Sequence, residues 1–439
     1  RTICLKTYGF QMNFADSEVV ASVLTDAGYQ IVSALADADV LLINTCAIRD
    51  NAEQRIRKRL HELRALQHGP KRLVIGVLGC MAERLKNQLL EEEENVSFVV
   101  GPDAYRRLPE MIRLADAGKK SSATELSTEE TYADIVPIRY NGNGISAYIS
   151  IMRGCQNFCA YCVVPYTRGR ERSRNPQTIV QEAQMLFDNG YKEVTLLGQN
   201  VNSYRFTDDQ GNTTDFPDLM ATVARVSPQL RVRFATSHPK DLSDKLLQTM
   251  AQYDNICKCI HLPVQSGSDR MLKLMNRHYD SAWYLQRVES IRHFMPECSI
   301  TTDVIAGFCT ETEEDHQLTL QLFRKVRYDY AFMFKFSMRP NTYAEKHLVD
   351  DVPDDVKTRR LEEIIKLQGE MALENNRQEV GKVFEVLVEG TSKRSDKQLF
   401  GRNSQNKVIV FDRQDCRPGQ YAKVRVTDCT AATLIGVLV

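Results

Sequence analysis

The stretch Ala147-Tyr-Ile-Ser-Ile-Met152 runs directly into Arg153-Gly-Cys155-Gln-Asn-Phe-Cys159-Ala-Tyr-Cys162. The first six residues are apolar and β-prone and read as a strand. The loop after them sets three cysteines within eight residues, spaced C-x-x-x-C-x-x-C. Thiolates are soft ligands that select zinc, copper(I) or iron–sulfur clusters. Zinc would want a fourth cysteine or histidine, commonly from a second C-x-x-C pair. The sequence holds no such pair, and Cys257-Lys258-Cys259 has the wrong spacing inside a predicted strand. A four-iron cluster on three thiolates keeps one iron open, and an open iron can chelate the amine and carboxylate of S-adenosylmethionine (SAM). Electron transfer into the sulfonium then releases a 5′-deoxyadenosyl radical. Cys155, Cys159 and Cys162 are therefore expected to be both metal ligands and the reactive centre. The alternatives are a structural zinc knuckle or a fully ligated electron carrier.

Around this loop the chain alternates strands and helices. Further strands are predicted at Glu193-Val-Thr-Leu-Leu197, Arg231-Val-Arg-Phe-Ala235, Cys259-Ile-His-Leu-Pro263 and Ile300-Thr-Thr-Asp-Val-Ile-Ala-Gly307. About six strand–helix repeats predict a full or partial barrel over 144–375, with its site at the carboxyl face of the strands. Upstream, Thr2-Ile-Cys-Leu-Lys-Thr-Tyr8, Val40-Leu-Leu-Ile-Asn44, Leu73-Val-Ile-Gly-Val-Leu-Gly79 and Val96-Ser-Phe-Val-Val100 alternate with helical segments, one of them from about 17 to 27. They predict a parallel α/β domain over 1–115, covered on both faces. Cys46 and Cys80 each fall just past a strand end, where sites of such sheets collect. Residues 116–143, with Lys119-Lys-Ser-Ser-Ala-Thr124 and Asn141-Gly-Asn-Gly144, read as a linker. Residues 376–439 alternate apolar and polar positions between Gly-containing turns and read as a small all-β barrel. From Gly381 onward this segment carries ten Lys/Arg against six Asp/Glu.

Bulk properties set wide limits. The 439 residues suggest two to four domains, and 43% hydrophobic with 26% charged residues is ordinary for a globular chain. The 57 basic and 57 acidic side chains cancel, which neither favours nor excludes a nucleic-acid partner. No run approaches the ~18 apolar residues of a membrane span, and the first residues lack a signal-peptide pattern. The expectation is a cytoplasmic protein with no membrane partner. Twelve cysteines in a chain this long do not read as a disulfide framework.

With these motifs in place, the chain resembles the radical SAM methylthiotransferases over nearly its whole length. Thr7-Tyr-Gly-Phe-Gln-Met-Asn13, Asn44-Thr-Cys-Ala-Ile-Arg49, Gly79-Cys-Met-Ala82, Met152 to Pro165 and Arg168-Gly-Arg-Glu-Arg-Ser-Arg174 carry the likeness. So do Leu197-Gly-Gln-Asn-Val-Asn-Ser203, Thr236-Ser-His-Pro239, His261-Leu-Pro-Val-Gln-Ser-Gly-Ser268 and Asp303-Val-Ile-Ala-Gly-Phe308. The resemblance implies an α/β architecture of three parts: an N-terminal methylthiotransferase domain, a central partial TIM-type radical SAM barrel and a C-terminal TRAM β-barrel. It implies an enzyme that adds a methylthio group to carbon 2 of N6-isopentenyladenosine beside the anticodon of tRNA, using one SAM as methyl donor and one as radical source. The siblings, acting on threonylcarbamoyladenosine in tRNA or on a ribosomal-protein aspartate, are the alternatives; a non-enzymatic iron–sulfur protein would leave the barrel motifs unexplained. Implied partners are tRNA, a reductase or flavodoxin-type electron donor and a sulfur donor.

The resemblance also implies two 4Fe-4S clusters. The second would be held by three cysteines of the N-terminal domain. Cys46 and Cys80 match two of them, and the third falls at Phe10. Cys4 is a poor substitute, since six extended residues separate it from position 10 by roughly 20 Å. Resemblance and polarity together suggest SAM contacts from Gln199, Asn200, Ser237 and Gln265, with loop capping as the alternative. Tyr161 is expected to pack on the adenine of SAM and Asp303 to be a site residue. His238 is expected to pack and hydrogen-bond only. Arg168, Arg170, Arg172 and Arg174 would hold tRNA phosphates or form ion pairs. Lys393, Arg394, Lys397 and Arg402 are expected to make a second basic patch on the β-barrel, which the resemblance to TRAM barrels implies binds RNA. Phe308, Phe332, Phe334 and Phe336 are candidates for an isopentenyl pocket or, more simply, core.

Overall fold

A computed structural model describes residues 1–46, 50–67 and 72–439. The Ala47-Ile-Arg49 end of one motif lies outside the described residues. At the N-terminus, β1 (Thr2–Tyr8), α1 (Gln11–Asp26), β2 (Gln30–Val32), β3 (Val40–Thr45), α2 (Asp50–Gln67), β4 (Val74–Gly79), α3 (Cys80–Leu85), β5 (Phe98–Val100) and β6 (Ser121–Ala123) form one domain. Its six strands are parallel in the order β2-β1-β3-β4-β5-β6. Side chains alternate across the sheet. Ile3, Leu5, Val40 and Leu42 meet Val20 and Leu24 of α1, while Leu41, Ile43, Ile75 and Val77 meet Ile56 and Leu60 of α2.

Two expectations change here. The helix expected from about 17 starts at Gln11, because the polar side chain of Asn13 turns inward and holds the ends of neighbouring strands. The stretch expected as a linker supplies β6, an edge strand, and buries Tyr132 against Tyr105 at 5.7 Å. An edge strand pairs on one side only and needs no long apolar run, so it looks like a loop in sequence.

Register fixes the rim of this sheet. Tyr8 lies opposite Thr45, and Thr45 opposite Gly79. Phe10, Cys46 and Cys80 therefore follow level, neighbouring strand ends.

The central domain has six parallel strands in two sheets. Ser146–Ser150, Glu193–Leu197 and Arg231–Ala235 form the first; Cys259–His261, Ser299–Ala306 and Tyr330–Lys335 form the second. A single parallel bridge, Val232 to Ile256, joins them into an arc, a partial barrel. After the helix Asp354–Arg377, five strands close a small barrel. Its loop 403–405 plugs the amino ends of the arc. Arg231 donates to the carbonyls of Arg402 and Glu385 at 2.7 Å, Arg233 to that of Asn403 at 2.7 Å, and Ser299 to that of Gln405 at 2.7 Å. The carboxyl ends stay open to the N-terminal domain. Among the described residues no helix is long and apolar enough to cross a membrane.

Candidate active site

The cysteine loop leaves the first barrel strand through Gly154, whose φ is +85°. A Cβ there would stand 2.0 Å from the Arg170 carbonyl oxygen, so only glycine fits. The Gly154 N–H donates to Gln199 Oε1 at 2.6 Å, and the Cys155 N–H to the Gly169 carbonyl at 3.0 Å. The loop is thus pinned to the ends of the first two strands. Cys159 is buried, and Cys155 and Cys162 are half-buried. Burial pushes the Cys155 thiol up to about 11 and Cys162 higher still, so metal binding there must displace protons.

The three sulfurs do not gather within the 4.8 Å seen for one ion's ligands among the described residues. Tetrahedral zinc draws its thiolates to roughly 4 Å of one another. Three soft thiolates from one loop, Cys155, Cys159 and Cys162, are the donor set that would hold a four-iron cube with one iron left open. One carboxylate–imidazole group, Glu313, His316 and Glu363, does gather that closely, but Arg359 bonds both carboxylates, at 2.6 and 2.7 Å, and makes it an ion-pair network.

Polar groups collect at the neighbouring strand ends. Ser237 Oγ, His238 Nε2 and Gln265 Oε1 are buried without a hydrogen-bond partner. Buried polar atoms are nearly always satisfied, so this set fits a polar ligand such as SAM. His238 Nδ1 accepts from the Lys240 N–H at 3.3 Å. Burial, then the charges of Arg277 and Lys240, hold the ring neutral. Its Nε2 therefore carries the proton and can donate to a ligand, a role beyond the packing and hydrogen bonding expected from the sequence.

Other expected SAM contacts have protein partners. Asn200 is fully buried; it donates to Asp241 at 2.7 Å and accepts from the His238 N–H at 3.2 Å. Gln199 props the cysteine loop. Asn200, with both ends of its amide engaged, departs from the expected ligand contact, while Gln199 spends only its Oε1 on the loop. The Tyr161 ring stands edge-on to Phe308 at 6.3 Å. Asp303 pairs with His261 Nε2 at 3.2 Å, beside the exposed Phe332. Phe308 and Phe336 are core.

The partners of the arginine run decide between phosphate binding and ion pairing. Arg168, Arg172 and Arg174 are buried, and Arg170 alone is exposed. Arg168 binds Asp16 at 2.6 Å, Arg172 binds Asp103 at 2.8 Å, and Arg174 binds Glu182 at 2.6 Å. Arg153 joins them, bonding Asp16 at 2.8 Å. Phosphate cannot reach such groups. Arg153, Arg168 and Arg172 clamp the N-terminal domain over the barrel mouth, while the Arg174 pair lies within the barrel domain, on the helix Pro176–Asp188. Arg153, Arg168 and Arg172 against Asp16 and Asp103 leave one positive charge over, and Arg168 Nε points at Cys80 Sγ from 3.2 Å. Cys80 also packs on Val163, next to Cys162. Cys46 acts electrostatically on the buried Arg339. Position 10 bears a phenyl group, 44% exposed, and Cys4 Sγ donates to the Ser33 carbonyl at 3.7 Å from deep in the sheet. The N-terminal rim thus offers two thiolates, and a cluster needing three does not fit it.

Arg402 is corrected: it pairs with Glu193 at 2.8 Å and with Glu389, docking the small barrel. Lys393, Arg394 and Lys397 remain exposed on a hairpin.

Three family descriptions match in order: the uncharacterized protein family UPF0004 over residues 2–101, the radical SAM superfamily over 149–323 and the TRAM domain over 377–439. A protein of Amoebophilus asiaticus named tRNA-2-methylthio-N(6)-dimethylallyladenosine synthase is 57% identical over 447 residues, covering 99% of this chain and 92% of its own. One of the same name from Bacteroides thetaiotaomicron is 57% identical over 436 residues, covering 99% and 96%. The chain belongs to the tRNA-2-methylthio-N(6)-dimethylallyladenosine synthase family. The radical SAM methyltransferase TsrM from Kitasatospora setae, with cobalamin and a 4Fe-4S cluster bound, shares the fold at TM-score 0.57 and 13% identity, covering 88% of this chain and 77% of that one.

Proposed function

We propose that the chain adds a methylthio group to carbon 2 of N6-isopentenyladenosine beside the anticodon of tRNA, as a radical SAM methylthiotransferase. The carrying observation is the loop of Cys155, Cys159 and Cys162 at the barrel mouth, beside the unpaired Ser237, His238 and Gln265 atoms, in a chain over half identical to synthases of that name. When bound, a three-thiolate cluster with SAM supplies one-electron cleavage, able to remove a hydrogen that no base could take. The chain's own residues do the rest. Gln199 and Gly154 hold the cysteine loop, and Ser237, His238 and Gln265 orient SAM. The Asp16 and Asp103 clamp lays the N-terminal domain over the mouth and excludes water. Exposed Lys393, Arg394 and Lys397 meet tRNA phosphates.

In the same reading a reductase or flavodoxin-type protein delivers the electron, a sulfur donor serves the rim at Cys46 and Cys80, and the protein works in the cytoplasm. No step is derived through a second cluster, because Phe10 removes its third ligand.

The test is expression in a bacterium whose tRNA keeps unmodified isopentenyladenosine, with a Phe10→Cys chain alongside. Mass spectrometry of digested tRNA reads the product. Methylthio-isopentenyladenosine from the chain as it stands supports the proposal. Product from the Phe10→Cys chain alone keeps the reaction class and places the defect at the rim. Product from neither, or a methylthiolated threonylcarbamoyladenosine instead, overturns it.

A further inference from the structure

Arg277 lies between the cysteine loop and the end of the fourth barrel strand, 4% exposed. Its Nη1 donates to Cys159 Sγ at 3.2 Å and to Tyr161 Oη at 3.3 Å. Its Nη2 donates to the Pro263 carbonyl at 2.7 Å, and its Nε to Tyr279 Oη at 3.0 Å. These four acceptors are a sulfur, two phenols and a backbone carbonyl; none is a carboxylate. A buried charge without a counter-charge costs several kcal/mol, so the arrangement asks for an anion at the loop. Thiolates on iron are that anion.

The second reach of Arg277 is toward SAM. Tyr279 Oη, which accepts from Arg277, also donates to the Val264 carbonyl at 2.9 Å, next to Gln265, and the Tyr279 ring meets His238 at 5.7 Å. One side chain therefore ties a cluster ligand to the strand ends that carry the unpaired polar atoms.

We infer that Arg277 is a positioning residue: its buried charge is matched by the cluster on Cys155, Cys159 and Cys162, and its hydrogen bond to Cys159 Sγ favours the reduced cluster. Reduction adds negative charge at the sulfurs, so a fixed donor and cation there raise the reduction potential. This rests on the cluster reading proposed above.

The test uses the full chain, Arg277→Lys and Arg277→Gln, each reconstituted anaerobically with iron and sulfide. Iron per chain and far-ultraviolet circular dichroism are measured. The midpoint potential is followed through the reduced-cluster paramagnetic signal that responds to SAM. Arg277→Gln is expected to retain iron and to need a more negative potential. Arg277→Lys should fall between, because an ammonium keeps the charge but cannot span four acceptors. Equal midpoints at equal iron overturn the inference. If Arg277→Gln fails to load, Arg277→Lys decides by the same comparison. If neither loads while the circular dichroism is unchanged, the charge match between Arg277 and the cluster is supported. An unsubstituted chain that takes up no cluster sinks the cluster reading itself, whereas a normal cluster with unmoved variants sinks only the role of Arg277.

Discussion

Arg168 donates to Asp16 Oδ2 at 2.6 Å across 152 residues of chain. With Arg153 on the other oxygen of the same carboxylate, this contact joins the cysteine-loop domain to the N-terminal domain. It turns a run of arginines that looks like an RNA handle into an interdomain clamp.

Asp16→Asn would take from Arg153 and Arg168 the carboxylate they share, leaving Arg153 only Asp103 at 3.6 Å, and a loss of about 3–5 kcal/mol is expected at pH 7. Burial alone would raise the Asp16 carboxyl, but Arg153 and Arg168 outweigh it and hold it below the ordinary value. The unfolded state then binds the proton more tightly than the folded one. The contribution is full above about pH 4 and disappears as pH falls through the folded value. Urea midpoints of parent and variant should differ at pH 7 and converge in acid. Equal midpoints at pH 7 would mean that the clamp does not hold the domains.

Ser237→Ala and Gln265→Leu remove atoms that lack protein partners, so they should fold normally and bind SAM about tenfold more weakly each, the worth of about one hydrogen bond. Asn200→Ala should do the reverse. It unseats the His238 N–H and Asp241 and lowers the melting temperature first. Anaerobic equilibrium dialysis with SAM, read beside thermal melts, separates the two effects.

What could be read from sequence follows the distance over which partners act. Cys155, Cys159 and Cys162 lie in one loop, and their chemistry is complete within eight residues. The barrel strands Glu193–Leu197 and Arg231–Ala235 declare themselves by local pattern. For Arg168, Arg172 and Arg174 the sequence left phosphate binding and ion pairing open, and for Arg402 it favoured RNA, because Asp16, Asp103, Glu182 and Glu193 reach them only after folding. Arg277 gave no local signal either, since Cys159 lies 118 residues away. The β-barrel strands Ser395–Arg402 and Leu434–Leu438 are broken by glycine and polar residues, and only closure of the barrel makes them strands.

The hairpin lysines and Arg402 should part company in an RNA-binding assay. Replacing Lys393, Arg394 and Lys397 with Ala is expected to weaken tRNA binding and to flatten its salt dependence by about one unit of slope per lost phosphate contact. Arg402→Ala should leave the slope unchanged and lower the melting temperature, because Glu193 at the barrel base loses a partner. A steep loss of slope in Arg402→Ala would restore the residue to the RNA face.

Position 10 is the sharpest test of the N-terminal rim. The register sets Tyr8, Thr45 and Gly79 level, so the residues that follow share one edge above the cysteine loop. Asn13 ties that edge together, its Oδ1 accepting from the Phe10 N–H at 3.3 Å and its Nδ2 donating to the Thr45 carbonyl at 3.2 Å. A thiol at position 10 would follow the strand end beside those that lead into Cys46 and Cys80, and the half-exposed phenyl ring can leave without emptying a core. Phe10→Cys should therefore fold as the parent does. After anaerobic reconstitution the parent is expected to hold about four irons, and the variant about eight. About eight in the parent would mean that another ligand completes the rim. About four in both would mean that three cysteines at this edge are not enough.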